Sequence, residues 1–552
     1  MARVIVLGAG PTGLGAATRL HQLGHTNWDL YEMGDTPGGL ARSFVDEQGF
    51  TWDIGGHVIF SHYKYFDDVL DGTVPEWNSH VRESWVWSHG TMVPYPFQNN
   101  IGRLPREAQL RCLEGLIRAK EAKKPESGWA SFGQWIDTIF GKGLAEVFMR
   151  PYNYKVWAFS PDKMSANWMG ERVPVVSVEK ILRNILTNTD DVGWGPNATF
   201  RFPKHGGTGA IWSLVAKALP SNKLHYGKKV VGIHLANKEV FFNDGSCERY
   251  DWLISTLALN HFLSMVRDDT PQGGTLRKEA TTPLYSSTHV VGLGFDGDTP
   301  DHLKGKCWMY FPEPDSPFYR ATLFSHYSEH NVANPGKQWS LMYEISQSSD
   351  KPFSEDPIQA TIEGSLSSKL FTQDDLKHLV SKFHIKMEQG YPTPFIGRDE
   401  WLTRVQSVLE EKCVLSRGRF GGWKYEVGNQ DHSLMQGILC SITNICLDEA
   451  AGAQATLPVR FERLGIHSAV QLAPSAFLAS MHNSQVLSTR FFHYISNRQT
   501  SSTWTHLPQH GRRVPPQDKA FHSQKAWEAP TTEAVSATML DKASFVTIVS
   551  RK

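Results

Sequence analysis

The sequence predicts an α/β fold in three interleaved parts: a discontinuous domain built on a parallel sheet, an inserted helical domain, and an antiparallel β-sheet domain. Three observations support it: the β-branched run and glycines of "VIVLGAGPTGLG", the proline-led helical pattern of "PREAQLRCLEGLIRAKEAKK", and the strand-like runs "THVVGLGF" and "WSLMYEI". We assign residues 1–90, 200–280 and 395–437 to the first domain, 100–195 to the helical domain and 283–390 to the antiparallel sheet.

The N-terminal glycines predict a dinucleotide site. A short apolar strand leads into Gly8, Gly10 and Gly13, then a helical stretch, and the next apolar run ends at Glu32. In this strand–turn–helix–strand setting the glycines allow a tight turn, close approach of a pyrophosphate and close helix packing. The helix N-terminus faces the phosphates, and Glu32 would accept hydrogen bonds from the adenosine ribose.

FAD fits the remaining segments of this domain better than NAD. A second glycine doublet, Gly38 and Gly39, follows soon after and is succeeded by Arg42. Much later the stretches "RFPKHGGTGAIWSLVAKAL", "KVVGIHL" and "DWLISTL" read as a helix and strands that rejoin the first sheet. The isoalloxazine ring of FAD needs such returning segments, whereas a simple NAD domain does not.

Composition and charge exclude several classes of protein. The chain has 552 residues, of which 40% are hydrophobic and 20% charged, and its Lys+Arg and Asp+Glu totals are both 56. No net charge attracts it to nucleic acid or to a membrane surface, and no apolar run has the length of a membrane span. The six cysteines form no CxxC pair, which argues against a disulfide framework or a zinc site. We expect a cytoplasmic protein that binds neither nucleic acid nor membrane.

The stretch "IGGHVIFSHYKYF" places Gly55 and Gly56 directly before His57. A metal site, a catalytic base and an ordinary turn are all open interpretations. A metal site pairing His57 with His62 is disfavoured because no further ligands cluster nearby, so no metal is expected. From the residues alone, a buried histidine hydrogen-bonded to a carbonyl is favoured, because single histidines are seldom catalytic.

Several motifs, in the same order, resemble those of the eukaryotic UDP-galactopyranose mutases over about residues 3–437. These motifs are "GGHVIFSHYKYF", "PYPFQNNI", "FMRPYNYKVWA", "WGPNATFRFPKHGGTG", "KCWMYFPEPDSPFYRAT", "GYPTP" and "RGRFGGWKYEVGNQDHS". The resemblance implies an isomerase that interconverts UDP-galactopyranose and UDP-galactofuranose for glycoconjugate synthesis. In that family reduced FAD acts through a flavin N5–sugar adduct without net redox, and NADPH is the expected reductant.

The resemblance also implies roles for individual residues, and it favours a role at the flavin for His57. The residues implied as catalytic are His57, Arg172 and Arg320. The residues assigned to the cofactor are Gly8, Gly10, Gly13, Glu32, Gly38, Gly39, Arg42, Gly55, Gly56, His57, Val231, Arg419, Asn429, Gln430 and Ser433. The residues assigned to the substrate are Phe60, Tyr95, Phe97, Gln98, Phe148, Tyr152, Asn153, Trp157, Arg172, Asn197, Trp308, Tyr310, Arg320, Tyr391, Tyr425 and Asn429.

Each group of assigned residues suits one part of the substrate. Aromatic faces and the amide of Gln98 suit a uracil, whereas arginines and tyrosine hydroxyls suit a diphosphate. Asp431 or Ser433 is expected to cap a helix whose N-terminus stabilises the anionic reduced flavin.

The chain departs from the family pattern after Gly437, and residues 438–552 are predicted to be a divergent, poorly ordered tail. Two alternative functions stay open. One is an FAD oxidoreductase of the amine-oxidase or desaturase type, which shares the glycine-rich scaffold. The other is an inactive flavoprotein, because of the altered C-terminus.

Overall fold

Two sheets organise the fold, and helices cover or connect them. The computed structural model describes residues 1–121, 125–126, 128–169, 177–193 and 198–443. The strands are β1 Val4–Leu7, β2 Trp28–Tyr31, β3 Ser43–Val45, β4 Thr51–Asp53, β5 Trp77–Val81, β6 Ser84–Ser88, β7 Thr91–Pro94, β8 Thr199–Pro203, β9 Leu224–His225, β10 Val230–His234, β11 Glu239–Phe242, β12 Cys247–Arg249, β13 Trp252–Ser255, β14 Tyr285–Asp296, β15 Trp308–Tyr310, β16 Arg320–Leu323, β17 Gln338–Gln347, β18 Leu379–Pro392 and β19 Val414–Ser416. The helices are α1 Pro11–Gln22, α2 Lys64–Asp71, α3 Arg106–Glu121, α4 Phe132–Leu144, α5 Arg150–Trp157, α6 Val178–Thr187, α7 Gly207–Lys217, α8 Leu259–Ser264, α9 Pro271–Glu279, α10 Phe324–Tyr327, α11 Pro357–Ser367, α12 Arg398–Glu411 and α13 Gln430–Thr443.

The first sheet is parallel and has the order β19-β13-β1-β2-β9. All four residues of β1 are buried, as expected for a continuous apolar run in a parallel sheet covered on both faces. The strands come from three distant parts of the chain, around residues 4–31, 224–255 and 414–416. The predicted α/β fold class is confirmed.

The second sheet has seven strands in the order β18-β14-β17-β16-β15-β6-β7. Its pairs are antiparallel except for β15 with β6, which is parallel. Two of its strands, β6 and β7, come from the region before residue 95, which the predicted sheet range of 283–390 does not include. The sheet therefore joins an early segment of the chain to a late one.

A helical region connects the two sheets. As predicted from the proline-led pattern, α3 begins directly after Pro105, and the hydroxyl of Ser131 caps α4 by accepting the N–H of Gln134. One π-helical segment, Ala145–Met149, joins α4 to α5. Single π turns often re-aim side chains at functional sites, and α5 bears several of the predicted substrate residues.

The last described helix, α13, packs on α1. Its final described residues extend beyond Gly437, where the family resemblance stops, and Ile438 and Ser441 are buried. The rest of the predicted tail, from residue 444 onward, lies outside the described residues. Among the residues that are described, no helix is both long and apolar enough to cross a membrane.

Candidate active site

The turn between β1 and α1 has the geometry of a phosphate-binding turn. Gly8 has φ +97°, and its N–H donates to the Tyr31 carbonyl at 2.8 Å. A Cβ on Gly13 would lie 1.8 Å from the Gly8 carbonyl oxygen, so only glycine allows this approach. No side chain caps the N-terminus of α1 at Gly10, which leaves the N–H groups of the first turn for an anion.

The surroundings of this turn fit FAD. The Glu32 carboxylate is held at the end of β2 by the N–H groups of Ala9 (2.7 Å) and Gly34 (2.8 Å). The Nε of Arg42 is buried and has no hydrogen-bond partner among the described residues. A Cβ on Gly10 would meet no protein atom closer than 3.9 Å. An unsatisfied buried guanidinium nitrogen beside an open stretch of backbone is what a cofactor with a pyrophosphate would complete.

A buried acid, Asp53, ties β4 to the start of α7. It accepts hydrogen bonds from the Ser43 hydroxyl and from the N–H (3.2 Å) and hydroxyl (2.9 Å) of Thr208. Because Gly206 offers no side chain at the start of α7, Asp53 acts as the cap from another element. Burial raises the pKa of Asp53 to about 7, although these hydrogen bonds oppose the shift. The end of β4 is therefore fixed at the point where the turn that contains Gly55 and Gly56 begins. We call this segment the double-glycine turn.

The double-glycine turn is tightly enclosed. Gly55 has φ +102°, and a Cβ on Gly56 would lie 2.9 Å from the Trp308 indole nitrogen. His57 keeps partial solvent exposure, but its Nδ1 is buried and has no hydrogen-bond partner in the part of the chain that the structure describes. Burial lowers the pKa of His57 to about 4, the charges of Arg419 and Arg320 lower it further, and Glu344 opposes them. The imidazole is therefore neutral at neutral pH.

His62 does not lie with His57 as a ligand pair. Its Nδ1 is 2.6 Å from Oδ2 of Asp431, and the Nδ1 of His432 lies 3.0 Å from the other carboxylate oxygen, Oδ1. The three potential ligand atoms of this group lie within 4.8 Å of one another. Because α13 already begins at Gln430, Asp431 and Ser433 lie inside its first turn, and the expectation that one of them caps the helix from outside is wrong.

Arg320 lies at the start of β16 and forms a close ion pair with Glu344 on β17. Its Nε and Nη2 lie 2.8 and 2.5 Å from Glu344 Oε1. The same oxygen accepts the N–H of Gly56 at 2.9 Å. The structure therefore brings Arg320 next to the double-glycine turn, although the two are far apart in sequence.

The aromatic residues Tyr95, Phe97, Phe148 and Tyr152, assigned to the sugar nucleotide, form one cluster with Tyr310, which was assigned to the diphosphate. Phe97 lies on Phe148 with ring centroids 4.5 Å apart, and Phe148 lies parallel to Tyr152 at 5.2 Å. Tyr310 is 5.5 Å from both Tyr95 and Tyr152. Phe97 and Phe148 are fully buried, whereas Tyr95 and Tyr152 keep partial exposure. The buried phenylalanine rings therefore pack against the partly exposed tyrosines and fix their positions.

A second aromatic group surrounds Arg419. The guanidinium of Arg419 lies over the rings of Tyr391 (4.9 Å) and Tyr425 (5.3 Å), and Trp157 packs against both tyrosines. Arg419 was assigned to the cofactor, but its closest aromatic contacts are two of the tyrosines assigned to the diphosphate. Cation–π contacts of this kind fix a guanidinium without neutralising it.

The other predicted residues are placed as follows. The guanidinium carbon of Arg82 lies 4.9 Å from the ring centroid of Trp308 and 5.8 Å from that of Phe60. Asn153 donates to the Met149 carbonyl of its own helical segment, and Gln430 accepts the indole N–H of Trp212. Gln98 and Ser433 are buried, and Val231 is exposed on β10. Asn429 lies directly before α13, and Gly38 and Gly39 lie in the turn after β2. Arg172 and Asn197 lie outside the described residues.

Sequence reasoning missed three charged residues of this region: Asp53, Arg82 and Glu344. Asp53 and Glu344 each stand as one charge beside apolar residues, in "GFTWDIGG" and "WSLMYEI", whereas Arg82 is followed by Glu83 in "SHVRESWV". The acids lie in strands and are buried. A single acid in a buried strand needs a partner, which is the signal that would have singled out both acids.

Comparison with known proteins identifies relatives of the whole fold. The family model of flavin containing amine oxidoreductases matches residues 11–411. A crystal structure of reduced UDP-galactopyranose mutase is 52% identical, with a TM-score of 0.77, over 80% of this chain and 93% of that chain. Cyclohexylamine oxidase from Brevibacterium oxydans is 15% identical, with a TM-score of 0.56, over 80% and 98% of the two chains, and shows the fold alone.

A curated relative shares a shorter segment. Zeta-carotene desaturase of Zea mays is 32% identical over 124 residues, which is 22% of this chain. The match spans about a fifth of the length of that relative (21%).

Proposed function

Since the chain belongs to the flavin containing amine oxidoreductases and, among them, to the UDP-galactopyranose mutases, we propose that it interconverts UDP-galactopyranose and UDP-galactofuranose with FAD. The reaction is an isomerisation, so reductant is needed only to bring the flavin to its reduced form. NADPH is the proposed reductant.

One observation favours this function over oxidation of an amine or desaturation of a lipid. Arg320 and Arg419 both lie near His57 in the double-glycine turn, close enough to lower its pKa, and tyrosines surround them. Arg320 is paired with Glu344, so the charge of Arg419 leaves this group of three side chains net positive. That charge would repel a cationic amine, and an apolar substrate would desolvate it without compensation. A diphosphate is an anion that guanidinium groups can bind.

When bound, reduced FAD supplies a nucleophilic nitrogen for attack on the sugar. Gly10, Gly13, Glu32 and Arg42 would hold the cofactor on the turn after β1. The N-terminus of α13 carries partial positive charge, which favours a reduced, anionic flavin. These parts of the chain bind and orient the cofactor.

Other residues act on the sugar nucleotide. Arg320 binds the diphosphate and stabilises the charge that grows on it as it leaves the sugar. Neutral His57 has a buried Nδ1 that no described residue occupies by a hydrogen bond, and this atom can accept or return a proton. The aromatic cluster around Tyr95 and Tyr152 holds the uracil and shields the site from water.

Turnover of UDP-galactofuranose by the reduced and the oxidised protein tests the proposal. We expect UDP-galactopyranose to form only after reduction by dithionite or NADPH, with no reductant consumed per turnover. Activity of the oxidised protein, or one reductant consumed per product, would identify a conventional oxidoreductase. Binding of FAD and UDP without turnover would identify an inactive flavoprotein. Stopped-flow reduction with NADPH and with NADH compares the two reductants.

A further inference from the structure

Glu344, on β17, is a buried carboxylate that connects three parts of the candidate site. Its Oε1 accepts the N–H of Gly56 at 2.9 Å and the Nε and Nη2 donors of Arg320 at 2.8 and 2.5 Å. Its Oε2 accepts the hydroxyl of Tyr319 at 2.5 Å. Only 3% of the residue is exposed. The double-glycine turn and Arg320 therefore share one oxygen atom.

Glu344 is ionised in this position. Burial by itself raises the pKa of a carboxyl group, but the charge of Arg320 and the hydrogen bonds from Tyr319 and Gly56 outweigh it, so the pKa of Glu344 is lowered. In a buried network, a change at one donor alters the strength of the bonds to the others. An arginine has five N–H donors, so Arg320 keeps donors for a diphosphate while it is bound to Glu344.

We propose that Glu344 is a positioning residue that couples diphosphate binding at Arg320 to the redox state of the flavin. The inference rests on the proposed function, because it takes Gly55–Gly56 as the backbone beside the flavin and Arg320 as a diphosphate ligand. Reduction changes the charge of the flavin and so the field at the Gly56 N–H. Because that N–H and Arg320 share Oε1, the change reaches the guanidinium. By the same linkage, binding of a diphosphate at Arg320 changes the reduction potential of the flavin.

The experiment compares wild type with Glu344→Gln, which keeps the shape but removes the charge. UDP affinity is measured for the oxidised and the reduced holoenzyme, and the flavin midpoint potential is measured with and without UDP. In wild type we expect the UDP affinities of the oxidised and the reduced holoenzyme to differ several-fold. UDP should then shift the flavin midpoint potential to match, since a tenfold ratio of these affinities corresponds to about 30 mV for a two-electron couple. In Glu344→Gln we expect a ratio close to one.

Tyr319→Phe is the matched control, because it removes a donor from Oε2 but keeps the carboxylate charge and both partners of Oε1, Gly56 and Arg320. It should keep the wild-type ratio. A wild-type ratio in Glu344→Gln, a ratio of one in wild type, or an equal loss in Tyr319→Phe would each overturn the inference. Failure of the wild-type protein to bind UDP in either state would instead overturn the proposed function. If Glu344→Gln loses FAD, Glu344→Asp, which keeps the charge but withdraws the oxygens, should show the same loss of coupling.

Discussion

Asp53, His57 and Glu344 lie close together along the path from β4 to β17, yet their ionisation differs. Burial raises the pKa of Asp53 to about 7 because its partners are hydroxyl and N–H groups without charge. Burial likewise lowers the pKa of His57 to about 4. Only Glu344 has a cation in direct contact, Arg320, and its pKa is lowered. The presence or absence of one counterion therefore decides the charge of each group.

His57 should make the protein less stable as the pH falls. Its folded-state pKa of about 4 lies below the ordinary value of 6.5, so the unfolded chain binds a proton first. Stability from this group is complete above pH 6.5 and is lost as the pH falls toward 4. His57→Gln should remove this component, which denaturant unfolding at pH 7.5 and 5 would measure. Asp53 titrates in the same range with the opposite sign, so wild type and variant are compared at each pH. Equal pH dependence in the two proteins would contradict the burial of Nδ1.

Arg320→Ala should damage both the fold and substrate binding. Loss of one partner leaves Glu344 buried without its counterion, which costs about 3–5 kcal/mol of unfolding free energy. UDP binding should weaken by about 1.5–3 kcal/mol, the value of a hydrogen bond to a charged group. Urea unfolding and calorimetric titration with UDP measure the two effects.

Arg404→Ala is the control for this change, because Arg404 forms an ion pair with Glu279 while 60% exposed. Exposed pairs contribute about 0–1 kcal/mol, so both measurements should stay near wild type. An Arg320→Ala protein as stable as the control would show that the buried pair has little effect on stability.

At the scale of elements, the contact of α1 with α13 completes the cofactor domain. A Cβ on Gly437 would lie 1.9 Å from the Thr12 carbonyl oxygen, and one on Gly15 would lie 2.4 Å from the Leu434 carbonyl oxygen. The hydroxyl of Ser441 donates to the Ala16 carbonyl at 3.1 Å. The two helices therefore approach at small residues, with backbone almost touching backbone.

Gly437→Ala should lower both the FAD content and the melting temperature, because the new methyl group has no room beside α1. Gly274→Ala in α9 is the matched control, since a Cβ there meets nothing within 4 Å. The control should be slightly stabilised, by up to about 1 kcal/mol, because alanine favours the helix. Flavin absorbance and thermal melting measure both variants. Equal behaviour of the two would disprove the tight contact.

Truncation after residue 455 should preserve FAD content and activity, whereas truncation at 430 should abolish both. The shorter protein lacks α13, and with it the surface against α1 and the helix N-terminus predicted to face the flavin. Flavin release on denaturation and turnover of UDP-galactofuranose measure the result. Loss of flavin after the milder truncation would assign part of the cofactor domain to the residues beyond 455.

The sequence predicts elements well where neighbouring residues determine them. The turn from Gly8 to Gly13 depends on spacing within one βα unit, and the fold class is confirmed. The start of α13 was missed because the Asp431 carboxylate binds His62 from another element. Glu344 was missed because its partner Gly56 is 288 positions away in the sequence. Such contacts are set by packing, which local patterns do not contain.

In the molecule as a whole, each sheet combines segments that lie far apart in the sequence. The parallel sheet needs β19 to pair with the outer side of β13, whose other side pairs with β1. The antiparallel sheet needs β6 paired with β15. Neither sheet is complete within one continuous stretch, which is why domain ranges read from the sequence only approximate the structure.

Removal of FAD should lower the melting temperature of the protein. Reconstitution with FAD should restore it. A ligand that binds only the folded state stabilises it by about 2.7 kcal/mol at one hundred times its dissociation constant. The buried Nε of Arg42, which has no hydrogen-bond partner among the described residues, should be among the groups that lose most stabilisation when FAD is removed. Differential scanning calorimetry of the apoprotein and the reconstituted protein measures the difference in melting temperature. An apoprotein that melts at the temperature of the holoprotein would show that the cofactor does not contribute to folding.

The pairing of β1 with β13, and of β13 with β19, has a consequence for biosynthesis. A nascent chain that has emerged only to residue 410 lacks β19 and α13, so it exposes an unpaired strand edge and the apolar face of α1. Because such non-local pairings close long loops, they also slow folding and prolong the exposure. The flavin domain can close only when translation is almost past residue 443. We therefore expect the ribosome-bound intermediate to need chaperones, and early stop codons to yield aggregates rather than smaller active enzymes.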